Sequence, residues 1–329
     1  MIPMLPNHLS DLHLRSAPMR SFTPAAGAAP DTSGVLQTAS SKAAVRLPLP
    51  LVLNSVDSAR APRRWPKVCE LMRKHSVPVY STASCKHEIP AAAVPVRIAQ
   101  SSAESHLDSS ELMSADVVQV NCWGAESRNL GWPIGVAAEE LAGYIQSLQV
   151  AVGGDAPVGM GFRARACPSD IVLAIQAQAD FVSLVSRSPT ITLPHLVAIR
   201  RTREACREAG RADMPIIVSL PVQSIDDVAK LLALGASVVA LDAMLAAMLP
   251  AVTPAAGAGL GGGLLSSISG DQDPFAESLA KIEGLLNGCA GGLVDRMRDA
   301  GATSLSEFNE ECLVSSSDEL ARSLKLPRL

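Results

Sequence analysis

Short apolar runs recur along the chain, each ending in a polar or small residue and followed by a longer amphipathic stretch. The runs are Leu49–Asn54, Val77–Ser81, Val96–Gln100, Val117–Cys122, Ala156–Gly161, Phe181–Ser186, Ile216–Leu220 and Val238–Asp242, eight in all. Several are continuous rather than alternating, the pattern of strands covered on both faces. Helices are predicted between them at Pro66–His75, Ala137–Val150, Ser169–Ala179, Leu196–Ala209 and Ile225–Leu234. Glu139 and Glu140 fall in the first turn of the second of these, where the helix dipole favours carboxylates. Ser169 is placed as a cap with Asp170 behind it, and Gly235 is a natural stop for the last. The stretches after the second and third strands have a weak helical pattern. Eight strand–helix units predict an α/β protein, a (β/α)8 TIM barrel; one miscounted unit would turn it into an open doubly wound sheet.

Residues 1–45 are rich in Pro, Ser, Ala and Thr without a period. They read as an N-terminal arm, lying over the domain or partly disordered. The barrel is expected over 46–254, a Gly-rich loop over 255–272 and a short helical C-terminal appendix over 273–329. Within the appendix, helices are expected at Asp273–Leu285, Leu293–Ala300, Leu305–Leu313 and Ser317–Leu324.

Composition narrows the functional classes. The 329 residues accommodate one such barrel, which needs about 250. Hydrophobic residues make up 48% and aromatics only 3%, so Ala, Val and Leu must fill the core. The net charge of -4 gives no reason to expect a nucleic-acid or anionic-membrane partner. The seven cysteines are odd in number and form no CxxC pair, which argues against a disulfide framework or a zinc site. A reducing, cytoplasmic setting is expected, and the first 30 residues show no secretory pattern. Ala243–Ser269 is uncharged but contains Pro250, Pro254 and a glycine cluster, so it reads as a loop after a short helix.

In barrels of this kind, chemistry sits at the C-terminal ends of the strands. Lys86, His87, Arg163, Arg165 and Arg187 would crowd a cationic rim there, fit for a phosphate or carboxylate, or else remain ordinary solvated charge. His87 offers an acid or base, and Asp242 a partner for a rim arginine. Cys122 is a nucleophile if its pKa is depressed and a packing residue if it is not. Gly257–Gly263 lacks the Lys-Ser/Thr of a phosphate-binding P-loop and reads as a flexible loop.

Six segments lie in a telling order: Val45–Val52, Val96–Gln100, Ala115–Val120 with Gly124-Ala125, Ala156–Val158, Asp227–Ala236 and Ala302–Leu326. In that order they resemble the FMN-binding (β/α)8 barrel of the glutamate synthase family, whose stretches read "PL-LPLPIVISGMS", a strand ending in glutamine, "ADAVEIKIGQGAKPG", "APVSVKL", "DVAKALALGAD" and "LGKKSLSELNREDLVALTPELARLTGV". The resemblance covers roughly residues 45 to 325 and marks a divergent stand-alone member. It implies an FMN-dependent oxidoreductase of amino-acid or nitrogen metabolism. Asn54, Ser55 and Gln100 would then touch the isoalloxazine ring, with Arg163, Arg187, Ser219 and Gln223 around the phosphate end of the mouth.

The chain also departs from that pattern. "MSFGALS" reads Ser55–Ala61, and the lysine of "VSVKL" aligns with Gly161. "GHDGGTG" reads Val185–Thr190, and the phosphate loop "DGGLRTGRD" reads Ser219–Asp227, with Leu220 and Pro221 where close backbone approach needs glycine. Met244–Pro254 has no cysteine, so no iron–sulfur cluster is expected. Two expectations follow. One is a non-catalytic relative or partner subunit that has lost much of the FMN site; the alternative is an FMN-dependent oxidoreductase. A small anionic ligand at the barrel mouth or a protein partner fits either, without nucleic acid or membrane.

Overall fold

The computed structural model describes residues 7–15, 31, 34–37, 44–47, 49–53, 65–75, 77, 79–82, 97–102, 117–122, 138–152, 156–165, 168–186, 188–248 and 274–329. The first described elements are a 3-10 helix (His8–Asp11), β1 (Leu12–Leu14) and an antiparallel pair of β2 (Gly34–Gln37) and β3 (Ala44–Leu47). Eight parallel strands follow: β4 (Leu51–Val52), β5 (Val79–Thr82), β6 (Arg97–Ser102), β7 (Val117–Asn121), β8 (Val158–Arg163), β9 (Val182–Val185), β10 (Ile216–Ser219) and β11 (Val238–Ala240). They pair in chain order from β5 to β11, β11 pairs with β4, and a parallel bridge from Leu53 to Val79 closes the ring. The fold is the expected (β/α)8 barrel. All eight apolar runs became strands.

Among the described residues the α-helices are α1 (Trp65–Lys74), α2 (Ala138–Ala151), α3 (Pro168–Gln176), α4 (Leu193–Glu208), α5 (Ile225–Ala233), α6 (Asp242–Met248), α7 (Pro274–Asp299) and α8 (Asp318–Leu324). Helix α4 starts earlier than the predicted Leu196, because Pro194 sits in its first turn, where a missing N–H costs nothing. Gly235 ends α5 with φ +119, a backbone that only glycine adopts freely. The weakly helical stretches 83–96 and 103–116, and the Gly-rich loop, lie outside the described residues.

Strand alternation divides the core into two layers. Leu47, Val52, Val117, Phe181, Ile217, Val238 and Ala240 form a cluster inside the barrel. The neighbouring positions Val118, Val120, Val158, Met160, Val182, Val218 and Val239 join the larger cluster between sheet and helices. On β8 the inward positions fall to glycine. A Cβ on Gly159 would lie 2.4 Å from the Phe181 ring, so Phe181 occupies the volume a side chain would take.

Two features of the C-terminal region differ from the expectation. The two helices expected at Asp273–Leu285 and Leu293–Ala300 are one helix of 26 residues, α7. Its buried stripe, Phe275, Ile282, Leu286, Cys289, Leu293 and Met297, continues at helical spacing straight across Gly288, Gly291 and Gly292. That burial outweighs the roughly 1 kcal/mol each helical glycine costs. Gly292 also lets α7 approach α5, since a Cβ there would meet Ile225 Cγ2 at 3.3 Å. The helix expected at Leu305–Leu313 is instead a set of turns, a short 3-10 helix at Glu310–Cys312 and β12 (Leu313–Ser315). The reason is a long-range partner: β12 pairs antiparallel with β1 of the N-terminal arm. Leu9 and Leu12 of that arm are fully buried, the buried Lys230 ammonium donates to the Leu9 carbonyl (3.3 Å), and the His8 N–H donates to the Ile191 carbonyl (3.0 Å).

Candidate functional site

The mouth of the barrel is built from the last residues of the strands and the segments behind them. Register aligns Gln100 of β6 between Thr82 and Gln119, and Asn121 between Ser102 and Gly161, with Ser183 beyond Gly161. Gln119 is 1% exposed and its amide donates to Asn121 Oδ1 at 2.7 Å. On β7 the upper interior is thus polar, and Gly161 of β8 carries no side chain beside it.

After β9 the chain runs through Ser186, Ser188, Pro189, Thr190, Ile191 and Thr192 into α4. Ser188 N–H donates to Ser186 Oγ (3.1 Å) and Thr190 N–H to Ser188 Oγ (3.4 Å), successive turns made by hydroxyls in place of glycines. His195, third residue of α4, replaces the usual Glu or Gln of a capping box. Its Nδ1 accepts the Thr192 N–H (3.1 Å) and lies 3.2 Å from Thr192 Oγ1, while Nε2 lies 3.1 Å from Ser186 Oγ. A backbone N–H can only donate, so Nδ1 is the bare nitrogen and Nε2 carries the hydrogen. Ser186 Oγ therefore accepts from His195, and the histidine is not its base. Burial and the Arg165 guanidinium hold His195 below its ordinary pKa of 6.5.

After β10, Val222 N–H donates to the Leu220 carbonyl (2.8 Å) around Pro221, which has no N–H. Gln223 and Ser224 N–H both donate to Asp227 Oδ2 (2.9 and 3.1 Å), and Asp227 N–H donates to Ser224 Oγ (3.1 Å). Every backbone donor from 222 to 224 ends on the chain's own oxygens. The Asp227 carboxylate stands where a phosphate at a helix N-terminus would. Beside it, Ser219 Oγ donates to Asp242 Oδ2 (2.8 Å) at the start of α6.

Of the residues picked from sequence, Asn54, Ser55, Arg187, Lys86 and His87 lie outside the described residues. Gln100 is on β6 at the register just given. Arg163 ends β8, exposed, and Arg165 follows in the turn. Ser219 ends β10, 8% exposed, and Gln223 is exposed two residues beyond Pro221. The structure joins Ser219 to Asp242 and Gln223 to Asp227. Leu220, 3% exposed, belongs to the cluster between sheet and helices and does not fill the mouth. Burial, with the Asp170 carboxylate nearby, pushes the Cys122 thiol up to about 12, the direction of a packing cysteine rather than of an activated one. Sequence reading missed His195. Its signal was Thr192-x-x-His195 behind a strand, a capping spacing with an unusual last residue.

The loop after β10 does not fit the phosphate that the family resemblance calls for. A flavin phosphate is held by free backbone amides where the chain can come close, and here the amides after β10 are taken and a carboxylate faces them.

Comparison with known proteins places the fold. No family model matches the chain, and no curated protein does. Solved structures of mandelate oxidase share the barrel. The enzyme with 3,3-difluoro-2-hydroxy-3-phenylpropionic acid superposes with a TM-score of 0.58 at 15% identity, covering 91% of this chain and 86% of that one. A point variant with a monooxide FMN adduct gives 0.58 at 15%, covering 92% and 87%. The same variant with (S)-mandelic acid gives 0.60 at 14%, covering 91% and 85%. The chain shares the barrel architecture of these structures, and at this identity the likeness is one of fold.

Proposed function

We propose that this chain is a divergent relative of the glutamate synthase barrel that no longer carries flavin chemistry, and that it acts through binding, at its mouth or beside a catalytic partner subunit. Fold does not fix function; the site does. The observation that carries the reading is the engagement of the backbone amides after β10 by Asp227 and by Leu220. The loop after β9 supports it, with the Ser188, Thr190 and Thr192 amides on side chains. Gly161 stands where the resemblance expects a lysine. Arg163 and Arg165, exposed at the end of β8 and in the turn behind it, offer guanidinium forks to a small carboxylate at the mouth or to a protein partner. No helix among the described residues is long and apolar enough to cross a membrane, and five described cysteines are free, which fits a reducing cytoplasm.

The second reading is an FMN-dependent oxidoreductase, favoured by the likeness to mandelate oxidase over nearly the whole chain. It requires Asp227 to release the loop, Arg163 and Arg187 to meet the phosphate, and Gln100, Asn54 and Ser55 to meet the ring. The visible absorption spectrum of the purified protein, before and after adding excess FMN, separates the two. The proposal expects a colourless protein and a flavin band identical to that of free FMN. A shifted band that bleaches on reduction would establish the second reading.

A further inference from the structure

The geometry points to a pH-sensitive latch at the barrel mouth: neutral His195 holds the segment Ser186–Thr192 closed, and a proton on its Nδ1 releases that segment together with the start of the N-terminal arm.

His195 is 2% exposed and joins the two ends of the segment, Ser186 through Nε2 and Thr192 through Nδ1. Nδ1 is the one ring position that can take a further proton. It already faces the Thr192 N–H, so a proton there sets two donors against each other in a buried place. Among the described residues the ring's hydrogen-bond partners are Ser186 and Thr192, with no carboxylate bonded to it. Arg165, from the turn after β8, is the charged group that acts on the ring. On α3, which packs against α4, Asp170 acts on Cys122. On the arm His8 gives its backbone N–H to Ile191, and on α5 Asp227 is held by the Gln223 and Ser224 amides and Asp226 by Lys230 and Arg296. Glu204, further along α4, is held by Lys325, the C-cap of α8, and by Arg200.

Two further observations show what the latch releases. Thr190 Oγ1 is buried without a partner, so the closed segment carries a hydroxyl that hydration on opening would satisfy. Ile191, 1% exposed, accepts the His8 N–H through its carbonyl, so opening the segment removes an anchor of the arm. The sign follows from linkage. A histidine held below 6.5 in the closed state binds its proton first in the open state, so closure is complete above that value and weakens as pH falls through it.

Amide hydrogen exchange on the full chain at about pH 7 and about pH 5, corrected for intrinsic rates, tests the latch. The amides of Ser188, Thr190, Thr192 and His8 should lose about tenfold or more in protection at the lower pH, while those of β9 and β10 keep theirs. His195→Asn, whose amide oxygen accepts the Thr192 N–H at either pH, should abolish that dependence. Unchanged protection in the wild type, or a loss that persists in His195→Asn, overturns the latch. Should the variant not fold, nitrogen-15 NMR of the wild-type imidazole decides. A bare Nδ1 at neutral pH supports the latch, and a hydrogen on Nδ1 overturns it.

Discussion

The two ends of the barrel are usually built for different purposes, the lower end for stability and the mouth for chemistry. Here they are wired alike. At the lower end, the Arg203 guanidinium donates to the carbonyls of Gly235 (2.6 Å), Met214 (2.9 Å) and Ala212 (3.0 Å), tying the approaches to β10 and β11 together. Asp180, 1% exposed, accepts the Val158 N–H at 2.8 Å and the Gln149 amide at 3.2 Å. Both side chains are spent on the chain's own backbone and neighbours, as expected of a structural end. At the mouth the same logic appears with Asp227, His195, Ser186 and Ser188, each closing on backbone amides. A mouth kept for phosphate would leave those amides open. The lesson is that a helix N-terminus is an anion site only when its own side chains do not already fill it.

Substitutions at each end should sharpen this contrast. The largest effect is expected at the lower end. Arg203→Met removes the charged donors of three carbonyls and should cost about 4 kcal/mol in urea unfolding. A loss below about 1 kcal/mol would mean that water replaces the guanidinium and that the lower end is not the anchor described. Next comes the barrel interior, where Gly159→Ala forces a methyl into the Phe181 ring and should cost about 3 kcal/mol. The double variant with Phe181→Leu should recover part of it, and additive losses would show that the two residues do not meet.

At the mouth the effect on stability is smaller and the effect on binding opposite in sign. Asp227→Ala removes one half of a capping box and should cost about 1 kcal/mol, while freeing the Gln223 and Ser224 amides and removing a negative charge. The variant should therefore bind inorganic phosphate more tightly than the wild type, as read by calorimetric titration. Equal affinity would show that the amides were not the obstacle.

The smallest change is expected at Lys325, the C-cap of α8, held at φ +50 and paired with Glu204 at 3.1 Å. Lys325→Gly relieves a left-handed backbone worth about 1 kcal/mol and gives up an exposed ion pair worth under about 0.5 kcal/mol. The net should be a slight rise in Tm.

Much of the barrel could be read from sequence because it depends on local pattern. Continuous apolar runs such as Ile216–Leu220 and Val238–Asp242 can be buried on both faces only inside a covered sheet, and each became a strand. Partners distant in sequence could not be read. β12 is a strand because β1 lies beside it, and nothing within Leu305–Leu313 announces that pairing. Helix α7 was divided at its glycines because propensity is local, whereas the buried stripe that carries it through is set by packing on α5. The site was legible as a list of residues and not as a set of bonds. Ser219 and Gln223 were placed at the mouth, but that Ser219 joins Asp242 and that Gln223 gives its amide to Asp227 depends on turn geometry. His195 escaped because a histidine in a capping position looks, in sequence, like any surface residue of a helix.

The most direct test of a mouth closed to phosphate is a fluorescence titration of FMN with the purified wild-type chain. The account predicts that flavin emission stays at the free-ligand level throughout and that added inorganic phosphate changes nothing. Saturable quenching in the micromolar range, reversed by phosphate, would contradict it and show that the loop after β10 opens to hold the cofactor.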